Sequence, residues 1–170
     1  MTILIAGFLG SYLLKSFVNS GYKVIALKRA TSDTYRLDNY LSQVIIYDID
    51  TVELNTIFNN HKIDICINTV TDYGRKDNKI SVIVDTNLLF GLKLLEKSVD
   101  NNVKVFINTD TLLNRNINTY ALSKAQLVDW MKFLSQENTK MVNIKIEHMY
   151  GPLDENKFIY WLINQFIKLT

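Results

Sequence analysis

Tyr120 and Lys124 stand four residues apart in Tyr-Ala-Leu-Ser-Lys. On a helix that spacing puts both side chains on one face. An ammonium near a phenol lowers its pKa, so the phenol can relay a proton near neutral pH. Asn108-Thr-Asp-Thr111 lies just past an apolar run and precedes the pair. A hydroxyl there would hold a carbonyl oxygen beside the tyrosine; ordinary loop capping is the other reading of Thr109 and Thr111. Near the N-terminus, Gly7-x-x-Gly10 follows the run Thr2–Ile5. Glycines after a strand let the backbone approach a pyrophosphate, and the next helix brings donors and partial positive charge. A closely packed helix start fits the same two glycines. Lys28-Arg29 follows a second apolar run, with no Asp or Glu beside it. An acidic residue at such a strand end takes a ribose 2′-hydroxyl, whereas a cation suits a 2′-phosphate; a solvated basic turn is the alternative.

These groups need a frame, and the chain alternates short apolar runs with helical patterns. Strands are expected over Thr2–Ile5, Tyr22–Leu27, Gln43–Tyr47, Ile63–Val70, Val103–Ile107 and Met141–Ile146. Leu9, Leu13, Leu14, Phe17 and Val18 recur at helical spacing before Gly21. Further helices are expected over Thr51–Asn60 with Thr51 as N-cap, Ile80–Ser98 with Asn101-Asn102 as its exit, Tyr120–Gln136 and Lys157–Ile167. Strands apolar on both faces belong to a sheet covered on each side. Repeated strand–helix units with right-handed crossovers make an α/β, doubly wound parallel sheet, with ligands at the carboxyl ends of its strands.

The bulk properties narrow the function. A chain of 170 residues suits one domain. A net charge of +2 gives no basic footprint for nucleic acid. No apolar run reaches membrane-spanning length, and the Met1 start lacks the pattern of a signal peptide. Cys66 is the single cysteine, and His61 and His148 are the only histidines, so neither a disulfide nor a metal cluster is expected. A reduced, cytoplasmic setting follows as the expectation.

Gly7-Phe-Leu-Gly-Ser11, Asp48 after the third strand, Asn87 in Asp-Thr-Asn-Leu-Leu, Thr111, Tyr120-x-x-x-Lys124 and Tyr150-Gly-Pro152 occur in one order along the chain. In that order they resemble the extended short-chain dehydrogenases/reductases, the NAD-dependent epimerase/dehydratase group that works on nucleotide sugars. The likeness runs over essentially the whole chain. Asp72-Tyr-Gly-Arg75, Phe106-Ile-Asn-Thr-Asp-Thr111 and Ile146-Glu-His-Met-Tyr-Gly151 are similar to strings of the CDP-abequose and CDP-paratose synthases. Those enzymes reduce a CDP-4-keto-3,6-dideoxyhexose with NADPH on the way to lipopolysaccharide O-antigen.

The resemblance implies a Rossmann-like NAD(P)-binding domain over residues 1–170 that stops before the substrate-binding lobe. It implies a CDP-sugar substrate, NADP(H) as cofactor with NAD(H) as the alternative, no nucleic acid or membrane partner, and a homodimer through the long central helices. By position, Tyr120 would protonate the sugar C4 oxygen, Lys124 would hold the nicotinamide ribose, and Thr111 would bond the keto oxygen. Gly7, Phe8, Leu9 and Gly10 would lie under the pyrophosphate, and Lys28 or Arg29 at the 2′-phosphate. Asp48 and Ile49 would line the adenine pocket, Thr69 and Asn87 the cofactor cleft, and Tyr73 and His148 the substrate side. For His148, a hydrogen-bonded histidine at a strand end is the competing reading.

Two departures set a second reading beside this one. The family loop is Gly-x-x-Gly-x-x-Gly, yet the residue three before Gly7 is Leu4, within the strand. A loss of about three residues between Ile5 and Gly7 weakens the pyrophosphate site, either by shortening the strand or by flattening the loop. The chain also stops in Phe166-Ile-Lys-Leu-Thr170, so the helix of Phe158, Trp161, Leu162, Phe166 and Ile167 is expected either to pack back on the sheet or to expose an apolar patch open to self-association. The alternative is therefore a catalytically inactive remnant that at most binds a nucleotide. A dinucleotide-sensing regulator is a third class, for which no residue speaks.

Overall fold

The computed structural model describes residues 1–75, 79–135, 138–147 and 158–168. Among them six strands form one parallel sheet in the order β3-β2-β1-β4-β5-β6. The strands are β1 (Thr2–Ala6), β2 (Lys23–Lys28), β3 (Val44–Asp48), β4 (Ile65–Asn68), β5 (Val105–Thr111) and β6 (Lys140–Ile146). The helices are α1 (Phe8–Asn19), α2 (Leu54–Asn60), α3 (Ile80–Val84), α4 (Phe90–Asp100), α5 (Thr119–Phe133) and α6 (Phe158–Lys168). The direction of strand addition reverses between β1 and β4, which opens a crevice at the carboxyl ends of the strands. This is the doubly wound α/β sheet expected from the sequence.

β1 shows why its strands read as unbroken apolar runs. Ile3 and Ile5 face Leu14 of α1, together with Val24, Ala26, Leu37 and Val44. Leu4 and Ala6 face the other layer, built from Ile57 and Phe58 of α2, Leu94 and Leu95 of α4, and Leu127 and Met131 of α5. Both faces are buried, so both alternating sets are hydrophobic.

The structure departs from the sequence-based boundaries for local reasons. Thr51 does not cap α2: its N–H and hydroxyl both donate to the Asp48 carbonyl at 3.2 Å, within the turn after β3. Glu53 occupies the N-cap instead. β5 runs on to Thr111 because Asn108–Thr111 pair in register with Asn143–Ile146 of β6. Thr109 and Thr111 are thus strand residues, and Thr111 at the strand end also caps the following loop by accepting the Leu113 N–H. A 3₁₀ helix, Tyr35–Gln43, was not foreseen; Leu37 is its buried anchor while Tyr35 and Leu41 are exposed, so its apolar residues mark no single face. The long helix expected from Ile80 continues to Asp100, interrupted by a π turn, Asp85–Leu89. It exits at Asn102, whose φ is 52°.

The glycine turn resolves the two ways of shortening it. β1 keeps its end, since Ala6 pairs with both Leu27 and Asn68. α1 begins at Phe8, so Gly7 alone makes the turn, at φ 102°. A Cβ there would lie 2.4 Å from the Thr69 carbonyl carbon. Left-handed backbone and close approach together require glycine.

Candidate functional site

Tyr120 lies in the first turn of α5, where the Asn118 side chain caps the helix by accepting the Ala121 N–H at 2.8 Å. Thr111 closes β5 beside it. Its Oγ accepts the Leu113 N–H at 3.2 Å. The Tyr73 ring packs on that of Tyr120 with centroids 5.0 Å apart, and the Arg75 guanidinium sits 4.9 Å from the Tyr73 ring centre. Burial pushes the phenol pKa up from its ordinary value; Tyr73 and Asp110 add to this, while the Thr111 hydrogen bond and Arg75 oppose it.

Lys124 is 1% exposed, and its Nζ donates to the carbonyls of Val70 at 3.0 Å and Thr109 at 2.9 Å. The ammonium ties the segment after β4 to the end of β5. Desolvation brings its own pKa from 10.5 to about 8, against the pull of Asp110. The i,i+4 spacing set the two side chains on one face but did not set where the longer one ends.

Asn87, in the π turn, is buried and fully engaged. Its Oδ1 accepts the Asp72 N–H at 2.7 Å, and its Nδ2 donates to the Asp72 carbonyl at 2.8 Å and to Ser123 Oγ at 3.1 Å. It clamps the loop of Tyr73 and Arg75 against α5. Gly74, at φ 69°, donates its N–H to Asp72 Oδ1 at 2.8 Å and completes the turn.

A second network was missed from the sequence. Asn68 Nδ2 donates to Asn108 Oδ1 at 3.0 Å, Asn108 Nδ2 to Asn143 Oδ1 at 2.9 Å, and Asn143 Nδ2 to Asp110 Oδ2 at 2.9 Å. The three asparagines share one register across β4, β5 and β6. The available signal was an asparagine near the end of three successive strand patterns.

The other end of the crevice is formed by α1, β2, β3 and the residues after β4. Phe8, Leu9 and Gly10 start α1, whose first N–H groups have no intrahelical partners. Gly10 N–H already donates to Thr69 Oγ at 3.1 Å, and that hydroxyl donates to the Ala6 carbonyl at 2.7 Å. A neutral hydrogen bond of this kind is worth about 1 kcal/mol, and a charge-assisted bond to phosphate about twice that. A pyrophosphate therefore fits by displacing the Thr69 hydroxyl, with less net gain than at an unoccupied turn. At the β2 end, Lys28 Nζ pairs with Asp48 Oδ2 at 3.4 Å, and the Ile49 N–H donates to the Lys28 carbonyl at 2.9 Å. Arg29 is exposed beside them. The crevice thus brings together Thr111, Tyr120 and Tyr73 at one end and Gly7, Gly10, Thr69, Lys28, Arg29, Asp48 and Ile49 at the other. His148 and Tyr150-Gly-Pro152 lie outside the described residues.

The family model described as NAD dependent epimerase/dehydratase matches residues 5–169. CDP-abequose synthase of Salmonella muenchen is 30% identical over 167 residues, covering 93% of this chain and 56% of that protein. The CDP-abequose synthase of Salmonella typhimurium is 29% identical, again with 56% of its length covered. The chain thus spans about half the length of the curated relatives it matches. Among solved structures, UDP-glucose 4-epimerase of Thermotoga maritima with UDP-glucose superposes with TM-score 0.83 at 20% identity, over 99% of this chain and 63% of that one. UDP-glucuronic acid 4-epimerase of Bacillus cereus in complex with NAD gives 0.81 at 21% identity, over 100% and 63%. At those identities the likeness shows the fold.

Proposed function

The chain belongs to the NAD dependent epimerase/dehydratase family, and we propose that it carries the proton-donating corner and dinucleotide crevice of an NADPH-dependent reductase. Its substrate is a nucleotide-linked keto sugar, with a CDP-4-keto-3,6-dideoxyhexose favoured by the Salmonella relatives. One observation carries the reading: Tyr120 opens α5 beside Thr111 at the carboxyl end of β5, with the Tyr73 ring packed on its own at 5.0 Å. A protonated phenol is an acid, as reduction of a ketone requires; oxidation of the alcohol needs it as a base.

Bound NADPH would supply the hydride, which the protein cannot provide. As the carbonyl oxygen gains charge, the Tyr120 O–H bond breaks, its proton passes to that oxygen, and the electron pair stays on the phenol. Thr111 then donates to the phenolate or to the sugar oxygen. Gly7, Phe8, Leu9 and Gly10 would hold the pyrophosphate, Arg29 with Lys28 the 2′-phosphate, and Asp48 the adenine side. Lys124 acts beneath the site by fixing the strand ends that carry Thr109 and Val70.

The Thr69–Gly10 hydrogen bond favours the second reading, an inactive remnant whose phosphate turn is closed. Turnover of the CDP-keto sugar with NADPH separates the two. Wild type should reduce the ketone, and Tyr120→Phe should lower kcat by roughly 10²–10⁴-fold while sparing NADPH binding. A wild type with no turnover leaves the remnant reading standing.

A further inference from the structure

No acidic residue stands beside Lys28-Arg29 in the sequence, yet the fold brings two carboxylates to the end of β2. β2 and β3 run parallel with Lys28 beside Asp48, so the turns that follow the two strands lie next to each other. The turn after β3 is closely tied. The Thr51 and Val52 N–H groups donate to the Asp48 carbonyl at 3.2 and 2.9 Å, and the Asp50 N–H donates to Asp48 Oδ1 at 3.0 Å. Asp48 Oδ2 pairs with Lys28 Nζ at 3.4 Å. The same turn brings Asp50 back to the β2 end, where its Oδ2 accepts the Ala30 N–H at 2.8 Å. The neighbouring Arg29 N–H donates to Ser32 Oγ at 3.2 Å, and the Ser32 N–H donates to the Arg29 carbonyl at 2.9 Å. In a doubly wound sheet this strand end is where the adenosine ribose and its 2′ group lie. Backbone N–H groups in such a turn are natural partners for an anion. Here the Ala30 N–H is held by a carboxylate of the chain itself, of the same sign as a phosphate. The cations are matched as well: Lys28 by Asp48, and Arg29, which is exposed and has no ion pair among the described residues, by the nearby Asp50. A ribose 2′-hydroxyl can donate to a carboxylate at this place, whereas a 2′-phosphate is repelled by it.

We propose that Asp50 is a specificity-determining residue of the crevice: held on the Ala30 N–H, its carboxylate opposes a 2′-phosphate and narrows the preference for NADPH over NADH that Arg29 confers. The proposal rests on the reading that a dinucleotide lies across these strand ends, and its test needs no turnover. Asp50→Asn keeps an oxygen for the Ala30 N–H and removes the charge. Wild type and Asp50→Asn are titrated calorimetrically, as full chains, with NADPH and with NADH. At about 0.1 M salt, Asp50→Asn should bind NADPH about fivefold more tightly than wild type does, the effect of a unit charge across a partly aqueous gap. NADH binding should not tighten, and its retention reports an intact fold. At about 1 M salt, where the screening length falls to about 3 Å, the two proteins should bind NADPH alike. If both dinucleotides bind and the NADPH to NADH ratio is the same in the two proteins, the proposal is overturned and the dinucleotide reading stands; the carboxylate then only shapes the turn. A ratio that rises equally at low and high salt also overturns it, because shape rather than charge is then at work. If neither protein binds either dinucleotide, the dinucleotide reading fails and the proposal fails with it.

Discussion

At the scale of single residues, the two members of the Tyr120-x-x-x-Lys124 pair have separate physics. Tyr120 is half-buried and held in its acid form, while Lys124 is a buried amine with two carbonyl partners and a pKa near 8. The lysine makes a pH prediction. Its folded pKa lies below the unfolded 10.5, so between about pH 8 and 10 the unfolded chain holds a proton that the folded chain has released. Stability contributed by the neutral amine is present above the unfolded value and lost as pH falls through the folded one. The urea midpoint should therefore rise from pH 7 to pH 9.5, by on the order of 1–2 kcal/mol. Lys124→Met should flatten that rise. A wild-type stability that is flat or falls over this window contradicts the buried, displaced amine.

At the scale of elements, the site is made by where strands stop and helices start. The strand runs, the long helices and the residues following each strand were legible in the sequence, because fully buried strands and amphipathic helices leave different periods. What was not legible depends on contacts between distant segments. The path of the Lys124 ammonium to Val70 and Thr109 joins positions far apart in the chain. The use of Asn87 as a clamp depends on Asp72 and Ser123 meeting it. The length of β5 depends on its partner in β6. The glycine turn was legible as short, but its closure by Thr69 was not. Gly7→Ala puts a methyl against the Thr69 backbone at a φ of 102°, and should cost roughly 2–4 kcal/mol in chemical denaturation. A cost near zero would mean that the turn can relax and that Thr69 is not packed against it. Asn87→Ala strands two backbone groups of Asp72 and should cost about 1–3 kcal/mol in chemical denaturation; an unchanged stability would mean that the Asp72 loop is not held by the amide.

At the scale of the whole molecule, one end of the crevice holds Thr111, Tyr120 and Tyr73 and the other a glycine turn with the Thr69 hydroxyl against it. α6 adds an apolar surface: Trp161 is 55% exposed, Phe166 64% and Ile167 65%. Surfaces of that kind associate, so sedimentation velocity should show mass rising with concentration, and Phe166→Asp should suppress the rise; a wild type that stays monomeric across the range contradicts it. The central claim is that this family member keeps a dinucleotide crevice in which Thr69 competes with the pyrophosphate. Calorimetric titration of wild type and Thr69→Ala with NADPH, and with NADH for comparison, tests it most directly. The account predicts NADPH binding by wild type, weaker NADH binding, and NADPH binding about fivefold tighter in Thr69→Ala, the worth of one displaced hydrogen bond. No binding of either dinucleotide by either protein up to millimolar concentration would contradict it and leave the crevice a relic of the fold.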